Sequence, residues 1–320
     1  SHQHHPYHPI IYVRGFAATH DEIEETVADP YMGFNLGSTK TRQVWDGKMR
    51  KFFFESPLVR LKDEIVWTKT ADGTVRSDRR YDDVYVDGDD LTAPDLEDPK
   101  KPQRTDITLP YQSIVVFRYY DEASEAFGNG DTPPIEHFAK GLSDLILRLR
   151  SLVCNKGGVD PITKEPLDNQ VAPEDFRVYL VAHSMGNYVL RNALQALLSN
   201  VGEKQLPRLF KNIFLMAADE DNDAFEDTWK LARLPELAES VHVYFAGNDQ
   251  ALSISDVTKN NPDRLGATGP RTLTSLPNKV TLVDCSQVSE TRPISDARHQ
   301  YYRKRAEILA DVRQVLGASA

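Results

Sequence analysis

The sequence predicts an α/β protein: a mainly parallel, doubly wound sheet of about six strands, with an inserted cap region. Three observations carry this. Short apolar runs rich in β-branched residues recur along the chain. Amphipathic helical patterns separate most of them, so each connection crosses over and the strands run parallel. One long gap interrupts the alternation after the first strand.

The expected strands cover residues 9–13, 113–118, 178–182, 212–217, 241–246 and 280–284. Their near-continuous apolar character suits strands buried on both faces. Residues 137–151 carry Phe138, Leu142, Leu145, Ile146 and Leu149 at helical spacing. Val189, Leu190, Ala193, Leu194, Leu197 and Leu198 repeat that pattern after the third strand. A final helix is expected over about 296–316. Residues 1–8 read as a disordered lead-in, and 9–320 as one domain. The inserted cap is expected at about 20–110, because that stretch is too long for a structureless loop. It holds Trp45, Trp67 and Phe52-Phe53-Phe54, and ends in a very acidic tail over 82–98. Ligands bind at the carboxyl ends of the strands in such sheets, and the insertion is expected to cover that edge.

The formal charge of −10 excludes the basic footprint of a nucleic-acid binder. No apolar run approaches the roughly 20 residues that cross a bilayer. Cys154 and Cys285 fit neither a disulfide framework nor a zinc spacing. A cytoplasmic setting is expected, with secretion left open because the first residue is Ser1 rather than Met. Asp87-Gly88-Asp89-Asp90 lacks the spacing of a calcium loop and reads as a solvated turn. No metal or cofactor is expected.

The most specific motif is Ala182-His183-Ser184-Met185-Gly186. An apolar run stops there and a helical pattern begins, the pattern of a strand, a sharp turn and a helix with serine at the apex. Gly186 supplies the small residue such a turn needs; Ala182 stands where glycine is more usual. A serine hydroxyl requires a histidine base, and that histidine requires a carboxylate. The chain order in doubly wound scaffolds is serine, acid, histidine. Only His242 and His299 follow Ser184. His242 falls inside a strand run, which leaves His299 as the base. The preferred acid is Asp249, in the turn Gly247-Asn248-Asp249 after the strand next but one to the serine strand. The alternative acid is Asp219, after the intervening strand. Two donors for an oxyanion are expected from the backbone N–H groups of Met185 and Phe16.

With these pieces the chain resembles the α/β-hydrolase superfamily, and more narrowly a largely uncharacterised bacterial branch of it. Arg14-Gly15-Phe16 stands where these enzymes often have His-Gly-Phe. The resemblance implies cleavage of a carboxylic ester, from a small molecule or a lipid, through an acyl-enzyme on Ser184, Asp249 and His299. An amidase, peptidase or thioesterase would use the same groups. A non-catalytic binding module on this fold is the reading from another class.

Overall fold

All six strands expected from the apolar runs form, and every one is parallel to its neighbours. The computed structural model describes residues 8–13, 41–43, 49–51, 67–69, 75–77, 82–87, 109, 111, 113–118, 135–154, 166, 171–183, 185–201, 208–247 and 264–286. The strands, in chain order, are β1 (Ile10–Val13), β2 (Thr41–Gln43), β3 (Met49–Lys51), β4 (Trp67–Lys69), β5 (Val75–Ser77), β6 (Asp82–Asp87), β7 (Ser113–Arg118), β8 (Val178–His183), β9 (Phe210–Met216), β10 (Ala238–Phe245) and β11 (Val280–Asp284). The helices are α1 (Ile135–Val153), α2 (Gly186–Val201) and the one-turn α3 (Leu265–Thr268).

The main sheet runs β11-β10-β9-β8-β1-β7-β6. It therefore holds seven strands rather than about six. The seventh, β6, pairs in parallel with β7 and lies inside the stretch expected as an insertion. β2 with β3 and β4 with β5 form two separate antiparallel hairpins in that stretch. The expected final helix lies outside the described residues.

Alternation along the strands explains the core. Ile11, Val13, Val115, Leu180, Ala182, Ile213, Leu215, Val241 and Val243 point to one face and join one apolar cluster with α1 and α2. These two helices pack on each other, and α2 also lies against β8 and β1. The opposite face carries Tyr12, Tyr179, Phe214 and Tyr244, which are also buried. Burial on both faces is what a parallel sheet requires. Each fully buried Leu, Ile or Val contributes roughly 1.5–3 kcal/mol, so the sheet centre is the main source of stability.

The amino-terminal edge of the sheet is tied to the start of the chain. His8 Nδ1 and the Tyr111 hydroxyl lie 2.8 Å apart, and the His8 ring packs edge-on to Tyr111 and Tyr179. Cys154 and Cys285 are buried, and neither is in a disulfide. Among the described residues no helix is long and apolar enough to cross a membrane.

Candidate active site

The sheet delivers its carboxyl ends to one edge. Val13 of β1 is in register with Ala182 of β8, and His183 with Met216 of β9. Tyr244 of β10 pairs with Met216, and Phe245 with Asp284 of β11. The segments bearing Phe16, Ser184, Asp219, Asp249 and His299 thus all leave the sheet at the same edge, each after a different strand. The residues Phe16, Ser184, Asp249 and His299 themselves lie outside the described residues.

Ser184 falls between two described flanks. β8 ends at His183, which is buried, and α2 begins at Gly186. The helical ladder opens at Met185, whose carbonyl accepts the N–H groups of Tyr188 at 2.9 Å and Val189 at 3.2 Å. The N–H groups at the start of a helix point back along its axis, here towards the strand-to-helix turn. With the helix dipole they favour negative charge at that point. The Ala182 side chain is fully buried in the apolar cluster, so the position where glycine is more usual takes a methyl group within the core.

Asn187, one residue into α2, is completely buried. Its Nδ2 donates to the Ala182 carbonyl at 3.2 Å and to the Met216 carbonyl at 3.5 Å. It links the ends of β8 and β9 beside the turn. The residue after Met216 is Ala217, at φ 46°, a left-handed conformation unusual for a side chain with a Cβ. The β9 chain therefore leaves the sheet abruptly, and it does so in a fully buried position.

The acidic run after β9 is a network of charges rather than a helix cap. Arg264, with only 3% of its side chain exposed, lies 3.1 Å from Asp219 through Nε and 2.6 Å from Asp221 through Nη1. Lys230 Nζ reaches Asp221 at 2.9 Å and Asp223 at 2.6 Å. Glu220 Oε1 accepts from Arg191 at 2.8 Å and from the Asp221 N–H at 2.9 Å. Arg191 also sits over the Tyr188 ring at 5.3 Å. The run is clamped to α3 through its backbone: Leu265 N–H donates to the Glu220 carbonyl, and Gly266 N–H to the Ala218 carbonyl. Ala246 N–H donates in turn to the Gly266 carbonyl at 2.9 Å. The segment 264–266 therefore bridges the loop after β9 and the turn that leads to Asp249.

That turn has a second support. Gly247 N–H donates to Ser286 Oγ at 2.8 Å, and Cys285 N–H to the Phe245 carbonyl at 2.7 Å. These bonds join the chain leaving β10 to the chain leaving β11. The histidine assigned to the sheet stays in it: His242 Nε2 lies 3.0 Å from Ser240 Oγ, and the ring stacks on Phe214.

Glu220 is fully buried, and burial pushes its carboxyl up from the usual range, with Arg191 pulling partly back. Below the ordinary value of 4.5 the side chain is protonated in both folded and unfolded chains. As pH rises the unfolded chain ionises first, so this group lowers stability until the folded-state pKa is passed. The Glu220→Gln variant keeps an acceptor for Arg191 and loses that dependence. The Tm of the native protein relative to Glu220→Gln is expected to fall as pH is raised from 4.5 towards neutrality. Thermal melts of both proteins across that range check it; parallel curves would contradict the assignment.

Among the described residues no group of three His, Cys, Asp or Glu could hold a metal ion. Asn187, Arg264, Ala217 and Ser286 were not singled out in the sequence. The only hint was position: Asn187 is three residues after the serine and one residue into the helix.

The fold is that of an α/β hydrolase: a parallel sheet flanked by helices, with a strand ending at His183 and a helix starting at Gly186 on its carboxyl edge. Residues 167–318 match the model of an α/β-hydrolase family of unknown function, DUF900. Residues 167–318 are just under half of the chain; fold and match are together consistent with the α/β-hydrolase superfamily and with hydrolase activity. No curated protein matches the chain significantly.

Proposed function

We propose that the protein is a serine hydrolase that cleaves carboxylic esters through an acyl-enzyme. The observation that carries this is the strand-to-helix junction at Ser184, on the edge where β1, β10 and β11 also end. His299 takes the Ser184 proton as Oγ attacks the ester carbonyl. Asp249 holds the His299 tautomer and balances the imidazolium. The backbone N–H groups of Phe16 and Met185 stabilise the oxyanion, and the positive end of α2 adds to them. The intermediate collapses, the alkoxide leaves with the proton from His299, and water repeats the sequence to release the acid.

Asp249 is favoured over Asp219 because Asp219 is held by Arg264. A carboxylate engaged by a buried guanidinium is a weaker partner for a histidine. The parts of residues 20–110 outside β6 are proposed to cover the site and select the acyl group. Their length and two hairpins support a structured element. The same machinery would serve an amide or thioester, and kcat/KM on matched ester, anilide and thioester substrates separates these bonds.

The test is a fluorophosphonate probe with p-nitrophenyl esters of graded chain length. The native protein is expected to be labelled at Ser184, and Ser184→Ala to lose both labelling and turnover while melting normally. Full turnover by Ser184→Ala would remove the assignment, and absence of labelling in the native protein would favour a non-catalytic module.

A further inference from the structure

We propose that Asn187 is a positioning residue for the nucleophile, a role that rests on the reading of Ser184 given above. Its amide bridges the two strand ends at the turn, through Ala182 on β8 and Met216 on β9. One NH₂ group carries two protons in a fixed plane, so it can hold two carbonyls at once. A hydroxyl has a single proton, and a carboxylate has none.

The location gives this bridge a consequence beyond packing. The Ala182 carbonyl lies two residues before Ser184 in the chain, and Asn187 three residues after it. The hydrogen bond between them closes a short ring of chain around the serine. The Met216 carbonyl anchors that ring to β9, where the backbone is already committed by the left-handed Ala217. The neighbouring ladder fixes the other side, since Ala217 N–H donates to the Tyr244 carbonyl at 3.3 Å. The serine turn, the exit of β9 and the end of β10 are therefore joined by one set of bonds. Nucleophilic attack depends on sub-ångström placement, and a displacement of about 1 Å costs on the order of 10²-fold in rate. Loosening the ring is therefore expected to act on the attacking atom more than on substrate binding.

The experiment compares Asn187→Leu, Asn187→Asp and Asn187→Ser with the native protein. Concentrations are normalised to folded protein at a temperature well below each Tm. Leucine removes both donors and keeps the branched outline at a larger volume, and aspartate sets an acceptor against two carbonyls. For both, kcat on a p-nitrophenyl ester is expected to fall by about tenfold or more with KM within about twofold, and the fluorophosphonate inactivation rate to fall in parallel. Serine keeps one donor and is expected to lie between them and the native protein. If the leucine and aspartate variants do not fold, the serine variant alone carries the same split between kcat and KM. A purely structural role predicts a lower Tm with native kcat and inactivation rate per folded molecule, and that result overturns the proposal. Native protein that no fluorophosphonate labels brings down the serine reading itself, and the proposal with it.

Discussion

Replacing His299 by alanine is expected to reduce kcat for p-nitrophenyl acetate by about 10⁴–10⁶-fold, with little change in KM. Without a base, the Ser184 proton has no acceptor at neutral pH, and residual turnover comes from binding and the oxyanion donors alone. Asp249→Asn is expected to follow with a loss of about 10⁴-fold, because the amide stabilises the wrong tautomer. The controls separate this assignment from its rivals. His242→Gln should leave kcat close to native, since His242 is held within β10 by Ser240 and Phe214. Asp219→Asn should act on stability more than on turnover, since its partner is Arg264. Normal kcat in His299→Ala, or collapse in His242→Gln, would reverse the choice of base.

Arg264→Ala is expected to destabilise the protein by about 3–5 kcal/mol, the cost of leaving buried carboxylates without their counter-charge. Arg264 faces Asp219 and Asp221, with side-chain exposures of 10% and 14%. Lys230 is already engaged by Asp221 and Asp223. A loss of that size corresponds to a fall in Tm on the order of 10 °C in a domain of this class. The exposed pair between Arg271 and Glu226 gives the contrast: Arg271→Ala should leave Tm nearly unchanged. Scanning calorimetry on both variants decides between them. Equal Tm values would mean that the network around Arg264 is solvated and weak.

The strands were legible because burial on both faces leaves an unbroken apolar run, as in Val178-Tyr179-Leu180-Val181-Ala182. β6 was not, because Asp82-Asp83-Val84-Tyr85-Val86-Asp87 opens and closes on acids inside a longer acidic stretch. A strand at the edge of a sheet tolerates such residues, so its composition says less about pairing. The serine turn was legible as a switch from strand to helix within a few residues. Its supports were not. Arg264 meets partners more than forty positions earlier, and no local pattern records that pairing. Asn187 reads as an ordinary polar residue at the start of a helix until its burial is known. The proposed acid, base and first oxyanion donor rest on order and position in the chain, which names residues without fixing their distances.

The place of β1 in the sheet has a consequence for how the molecule is assembled. The first of the described strands sits between β8 and β7, with Ile10 paired to Tyr179 on one side and Ile114 on the other. The portion matching the family model supplies β8 to β11 as a consecutive set, and β1 is the seam that joins it to the rest. During synthesis β1 emerges well before its partners β7 and β8, and this non-local closure slows folding. A fragment confined to 167–318 would expose β8 as a long apolar edge, a template for pairing with other chains.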